Sequence, residues 1–305
     1  MQNGYERPPY VASHNEEIVE HLYHAGFQMG NYADTILIVH GRQYRLHAIL
    51  LSRSPYLAHL MSTTPSNAPI RTITVPTEEE PEVTEEGFAV ALGYLYSSVS
   101  LQLVNPHNAR AVLASACYLG GLPDLCSYAY DVCRNSISVE TVDDWLRFVE
   151  RIPPPPEEGG PIDVPTSVFG PYAGQLRADV LHFLVTTLPH NLQSFETVEG
   201  APHTLNGRTQ GFDNLLHIYA RVPFDMFKQA VESPELPIGE IAAIMLRKAN
   251  LGNNVEETVV LAFGGSSSFG STVHVTRKVK KRPLVRYPVV TVTSIQLTRL
   301  AFSGR

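Results

Sequence analysis

Cysteine is scarce in this chain. Cys117, Cys126 and Cys133 are its whole complement in 305 residues. They cannot all pair and no two stand as C-x-x-C, so neither a disulfide framework nor a zinc module is indicated. They are read as buried thiols of a reducing compartment. Long apolar runs are missing too: nothing approaches the ~18 consecutive apolar residues of a membrane helix. The opening MQNGYERPPY has neither the basic start nor the apolar stretch of a secretory signal. No N-x-S/T glycosylation acceptor occurs, and the expected location is nucleus or cytoplasm. Catalytic signatures are equally absent, with no G-x-G-x-x-G, P-loop, H-E-x-x-H or G-x-S-x-G, so no enzyme and no cofactor is expected.

What is present describes a folded, mixed chain. Hydrophobic residues make up 44% and charged residues 17%, too apolar for disorder, and the length suggests about two domains. The net charge of -7 hides an asymmetry: no acid follows Glu257, whereas eight Lys or Arg residues do. Any attraction to an anion or an acidic partner therefore belongs to the C-terminus. Its densest cluster is Arg277, Lys278, Lys280, Lys281 and Arg282, with Arg286 just beyond. An import signal, a phosphate contact and a basic strand docked on the acidic body all remain open. With Tyr287 the only aromatic nearby, sequence-specific nucleic-acid reading is not supported.

Periodicity predicts a helix over residues 14–24, with Ser13 and Glu16 at capping-box spacing, Ile18, Val19, Leu22 and Tyr23 on one face, and Gly26 as its stop. His21 and His24 on this helix are too few to hold a metal firmly. TILIV at 35–39 reads as a strand, His40 to Arg42 as a turn, and 43–46 as a second strand. From Leu46 to Met61 a helical pattern is cut in two at Ser54-Pro55, with Ser54 the cap, and RTITV at 71–75 is a third strand. An acidic loop leads to a helix from Thr84. The next helix is expected to take Asn105 as cap and Pro106 as its first residue, and to stop at Gly120-Gly121. Another follows from Leu122 to Cys133, and Ser138 opens one bearing Val142, Trp145, Leu146 and Val149.

Residues 153–174 hold seven prolines and read as a linker or long loop. Helical spacing resumes over 176–188, 212–219 and 240–248. After the flexible Gly264 to Ser268, β-branched alternation marks strands at 272–276 and 289–293.

Helix, hairpin, two short helices, third strand and further helices carry a specific set of residues. Asp34-x-x-Leu37-x-Val39-x-Gly41-x-x-Tyr44-x-x-His47-x-x-Leu50-x-x-x-Ser54-x-Tyr56-Leu57 resembles the BTB/POZ signature, as do Tyr94 to Leu101 and Leu113 to Cys126. The resemblance spans residues 14 to 135. It implies an α/β (α+β) BTB fold, with Asp34, His47, Ser54 and Tyr56 as signature positions. Tyr44, Leu50, Tyr56 and Leu57 are read as core. The segment after 136, best at Val222 to Lys228 and Ser233 to Ile238, resembles the helical BACK region. The implied organisation is 1–135 BTB with its N-terminal helix, 136–257 BACK-like with the proline-rich insertion, and 258–305 a basic tail, β-structured in part.

The same resemblance implies a protein-interaction scaffold that forms a homodimer. Ile18, Val19, Leu22 and Tyr23 would supply the exchanged helix, although that helix could equally pack on its own domain. The scaffold would serve as a substrate adaptor of a cullin-3 ubiquitin ligase and hold an unidentified client. The alternative is a nuclear regulatory scaffold that binds no cullin. Two departures bear on this choice. Met61 to Pro65 contains no glutamate, where cullin-binding members often carry hydrophobic-x-Glu, and Ala48 stands where transcription-factor members have a basic residue. The partner surface is placed on Leu60, Met61, Tyr94, Leu122 and Leu125.

Overall fold

A computed structural model of the chain describes residues 9–64, 69–152, 167–194, 210–233, 235–236, 244–250, 255–264 and 272–281. The chain forms two compact units, residues 1–136 with 153–176, and residues 137–152 with 177–305.

The first unit is built on a three-stranded sheet. Strands β1 (Thr35–Val39) and β2 (Arg42–Leu46) pair antiparallel, Thr35 opposite Leu46 and Val39 opposite Arg42. Strand β3 (Arg71–Thr74) lies parallel to β1 with Ile73 beside Leu37, so β1 is central. The alternation of TILIV works as period two demands: Thr35, Leu37 and Val39 are buried, and Ile36 and Ile38 are not. His40 (φ 49°) and Gly41 (φ 76°) make a two-residue hairpin turn with both centres left-handed, the twist that matches the flanking strands.

Helix α2 (Ala48–Leu51) and helix α3 (Pro55–Thr63) follow, divided at Ser54-Pro55 as the sequence predicts. Ser54 is fully buried; its Oγ accepts from Leu57 N–H at 3.2 Å and donates to the Leu119 carbonyl at 2.5 Å. Helix α4 (Glu85–Tyr96) is capped by Thr84, whose side chain accepts from Gly87 N–H, and Glu85 and Glu86 sit favourably at its positive end. It packs on helix α5 (Ala109–Tyr118) at very short range. A Cβ on Gly87 would stand 2.5 Å from the backbone of Ala111. Helix α6 (Pro123–Asn135) closes the unit, with Leu125, Cys126, Ala129 and Cys133 inward. Phe88, Leu37, Leu57, Leu92, Leu113 and Leu125 are all under 2% exposed and form the centre of the core.

Several expectations are corrected here. Helix α1 (Pro9–His21) begins before Ser13, which therefore does not cap it, and the chain runs on through Gly26 as a wider π-helical segment, Leu22–Gln28. Phe27, tilted against Tyr23 at a centroid distance of 5.5 Å and against Tyr96 at 5.3 Å, holds the helix past the glycine. Asn105 does not cap α5. Its Oδ1 accepts from His107 and Asn108 N–H in a separate turn, Pro106 lies in that turn, and the helix starts at Ala109. Of the four expected core positions, Leu57 is fully buried, while Tyr44, Leu50 and Tyr56 are half-buried.

The second unit begins with helix α7 (Val142–Arg151), one position past Thr141, which accepts from Ser138 N–H. Helix α8 (Pro171–His182), whose residues up to Leu176 belong to the first unit, starts inside the stretch read as a linker, whose residues 153–166 lie outside the described ones. A π-helical segment, Phe183–Thr187, and helix α9 (Leu188–Asn191) extend it; helix α10 (Gln210–Tyr219) and helix α11 (Phe224–Glu232) complete the helical part. Arg177, 7% exposed, donates to the Val149 carbonyl and pairs with Asp225 at the start of α11. A buried cation with both partners in place is tolerable; without Asp225 it is not.

The expected helix over 240–248 is wrong. Residues Ile244–Asn250 form strand β4, which pairs antiparallel with an unpredicted strand, β5 (Val255–Gly264), and β5 with β6 (Thr272–Lys281). Local spacing in IAAIMLRK suits a helix, but the ladder to β5 decides the outcome. Strand β6 runs five residues beyond the expected Thr276 and contains Arg277, Lys278, Lys280 and Lys281. Arg282, Arg286 and the expected strand at 289–293 lie outside the described residues.

The Ser54 and Gly87 contacts set the stability of the first unit. Ser54→Ala removes a helix cap and the partner of a buried carbonyl, and denaturant unfolding is expected to show a loss of about 2 kcal/mol. Gly87→Ala must push α4 off α5 and is expected to cost roughly 1–3 kcal/mol in the same assay.

Candidate functional site

The residues that begin β1 and those that begin α2 are fourteen apart in sequence and meet in space. Asp34 Oδ1 accepts from Thr35 Oγ1 at 2.9 Å and from Ala48 N–H at 2.8 Å. His47, at the N-cap position with extended backbone, makes no cap bond with its own side chain. The cap of α2 is therefore supplied from across the hairpin.

His47 is thereby released for another task. Its backbone N–H donates to the Tyr96 hydroxyl at 2.9 Å, its Nδ1 lies 3.0 Å from the same oxygen, and its Nε2 lies 2.8 Å from the Asn31 carbonyl. A carbonyl can only accept, so Nε2 carries the proton and Nδ1 accepts from Tyr96 O–H. One hydroxyl then joins the β2–α2 corner to α4, while the ring ties both to the turn after the π-helical segment. Neither residue has an unoccupied polar atom aimed at solvent chemistry, and the arrangement is structural.

Beside this joint is an open groove of about 750 Å³ lined by Asp34, Ala48, Ile49, Ser52, Met61, Ser62, Thr64 and Arg71. Arg71 donates to the Met61 carbonyl at 3.1 Å. The hydroxyls of Ser52, Ser62 and Thr64 donate to the carbonyls of Ile49, His59 and Leu60 at 2.7–2.8 Å. The lining is mixed: Asp34 and Arg71 bring charge of both signs, and Ile49, 76% exposed, is its prominent hydrophobe. A large hydrophobe held outward on a rigid helix suits binding of a protein surface rather than chemistry on a small molecule.

The expected site residues divide sharply. Asp34 and His47 meet at the start of α2, Ser54 caps α3 against the Leu119 carbonyl, and Tyr56 lies tilted against Tyr118 at 5.0 Å, the Tyr118 hydroxyl donating to the Pro76 carbonyl. The partner surface is corrected: Leu122 and Leu125 are 5% and 0% exposed and belong to the core, while Met61, 8% exposed, is mostly buried and only edges the groove. They lie on the inward stripes of α3 and α6 and at the start of α6, where packing claims them. Leu60 is half-buried, as is Tyr94, which donates weakly to Asp124 at 3.4 Å. Ile49 and Arg71 were missed because Ile49 shares the apolar period of α2, whereas it is Leu51 that turns inward, fully buried.

The N-terminal helix stands out differently. Every side chain described in α1, from Ser13 to His21, is exposed, including Ile18 at 45% and Val19 at 37%, while Leu22 is half-buried and Tyr23 buried. His24 faces Gln28 and Glu20. Among the described residues no group of three or more His, Cys, Asp or Glu is placed to hold a metal, and no helix is long and apolar enough to cross a membrane.

Residues 23–132 match the family model for the BTB/POZ domain. BTB/POZ domain-containing protein 2 of Schizosaccharomyces pombe is 27% identical over 299 residues, which cover 91% of this chain and 96% of that protein. Germ cell-less protein-like 2 of Homo sapiens is 27% identical over 131 residues, 43% of this chain and 24% of the human protein.

The Tyr96 hydroxyl makes this joint sensitive to alkali. Burial pushes its pKa up to about 12, against the partly offsetting bond from His47 N–H. A group raised on folding contributes stability that is whole below its unfolded pKa near 10 and is lost as pH climbs toward 12. Thermal melts of the wild type are expected to lose on the order of 2 kcal/mol over that window. Tyr96→Phe should be weaker at neutral pH and decline less steeply in alkali.

Proposed function

We propose that the chain, whose residues 23–132 match the BTB/POZ domain, is a protein-interaction scaffold that self-associates through α1 and acts as a substrate adaptor of a cullin-3 ubiquitin ligase. The observation that carries the reading is α1 itself. Its Ile18 and Val19 are exposed on a helix whose described residues bury nothing from Ser13 to His21, and a helix of that kind is stabilised chiefly by a partner. A second copy of the chain is the partner that BTB domains supply.

The α2–α3 groove is the face we assign to the cullin. Ile49 and the half-buried Leu60 provide apolar anchors, compensating for the glutamate that the stretch after Met61 lacks. The helical unit that follows is assigned to a BACK-like region that holds the client. In it, Val222 to Lys228 leads through the Pro223 cap into the first turn of α11, with Val222, Met226 and Phe227 inward and Asp225 on Arg177. The missing glutamate and the basic β6 favour a second reading, a nuclear scaffold that binds no cullin, with the basic cluster as its address.

Size-exclusion chromatography with light scattering, on the chain alone and with a cullin-3 N-terminal domain, separates these readings. The adaptor reading expects a dimer that gains two cullin domains. Ile18→Asp with Val19→Asp is expected to give a folded monomer. Ile49→Asp or Leu60→Asp should weaken cullin binding at least tenfold, whereas a dimer indifferent to cullin would leave the ligase-independent scaffold.

A further inference from the structure

Cys117 lies in the last turn of α5 and Cys126 in the first turn of α6, so the two face each other across the Leu119-Gly120-Gly121-Leu122 connection. Their sulfurs are 3.8 Å apart, in contact but unbonded. A disulfide needs about 2.05 Å, so closure asks for an approach of roughly 1.8 Å, within reach of side-chain rotation with a small shift of the connection. That connection is well anchored at its α5 end: the N–H groups of Gly121 and Leu122 both donate to the Ala116 carbonyl. Cys133 is excluded as a rival because it sits two helical turns beyond Cys126 along α6, about 10 Å away.

The two ends of the pair differ electrostatically. The α6 N-terminus favours negative charge near Cys126, and the α5 C-terminus favours retention of a proton on Cys117. Accepting the Cys117 S–H draws the Cys126 thiol below its ordinary value, and donating it, together with burial, drives Cys117 up. The exposures differ as well: Cys117 is half-buried, while Cys126 is 1% exposed behind it. Cys117 is thus the more accessible residue of the two, with its sulfur also 3.7 Å from the Phe169 carbonyl, and Cys126 is poised to attack it.

We propose that Cys117 and Cys126 are an oxidative modification site, closing to an intrachain disulfide when the protein meets a hydroperoxide. The Cys117 sulfur attacks one peroxide oxygen as its S–H proton passes to the Cys126 thiolate 3.8 Å away; the O–O bond breaks, the S–O bond forms, and the departing hydroxide or alkoxide takes that proton from Cys126, leaving it a thiolate. The Cys126 thiolate then attacks the Cys117 sulfur, the S–S bond forms, and hydroxide leaves and is protonated to water. Two electrons pass from the two thiols to the peroxide. The bond ties α5 to α6 on either side of Leu119, whose carbonyl holds Ser54 and the start of α3. The site is therefore linked through one turn to the α2–α3 face.

The full-length reduced chain, treated with hydrogen peroxide, alkylated and mapped by mass spectrometry, tests this. Free thiols are expected to fall from three to one per chain, with Cys133 alkylated and a peptide linked from Cys117 to Cys126. A dithiol reductant should restore all three. Cys117→Ser and Cys126→Ser should each retain both remaining thiols, whereas Cys133→Ser should lose both. If a variant does not fold, the wild-type map under native conditions decides alone. Three thiols still free, separate over-oxidation of Cys117, or links only between chains would each overturn the proposal.

Discussion

The Tyr96 hydroxyl, buried at the end of α4, is the point on which the BTB unit turns. It accepts from His47 N–H and donates to the His47 ring, whose other nitrogen reaches the Asn31 carbonyl. Three chain segments far apart in sequence thus share one oxygen and one imidazole. Satisfying all of these groups internally is what permits the corner to be partly buried, since a buried polar group without a partner is costly. With His47 engaged in this way, the capping of α2 passes to Asp34, and the position of that carboxylate fixes where α2 leaves the sheet.

The placement of α2 in turn shapes the surface available to partners. Leu51 goes inward and Ile49 outward, and the groove between α2 and the end of α3 combines the exposed Ile49 with the charged Asp34 and Arg71. Rigid core elements carry this face, whereas α1 stands beyond the core with its described side chains exposed. The contrast between a firmly built groove and an unsupported helix is the physical basis for assigning recognition to the first and self-association to the second. The second unit makes a different use of burial. Its centre holds a charged residue, Arg177, whose compensation by Asp225 and the Val149 carbonyl ties three helices together.

Much of this was legible in the residues, where the determining physics is local. The alternation of TILIV, the Ser54-Pro55 division, the helix start near Thr84 and the Gly120-Gly121 stop each act through a few neighbouring atoms, and each stands where expected. Asn105 was misjudged because two asparagines three apart compete for the same cap geometry, and the inner one, Asn108, precedes the helix. Residues 244–250 carry helical spacing, but their hydrogen bonds are made with β5, a partner that no local pattern could announce.

The candidate surface shows the same division. That Asp34, His47, Ser54 and Tyr56 form one pattern is written in their spacing, and it identified the fold. Which hydrophobes are free is not, because Leu122, Leu125 and Met61 are indistinguishable in composition from Ile49. Apolar spacing reports only that a residue belongs to an apolar stripe. Whether the stripe meets a core or a partner depends on helices that arrive from elsewhere in the chain. The sequence by itself determined the BTB architecture, the Ser54 cap, the hairpin turn and the faces of β1; the tertiary structure alone decided which side chains remain exposed and that Cys117 and Cys126 meet. Burial and proximity are properties of packed elements, and no single segment contains them.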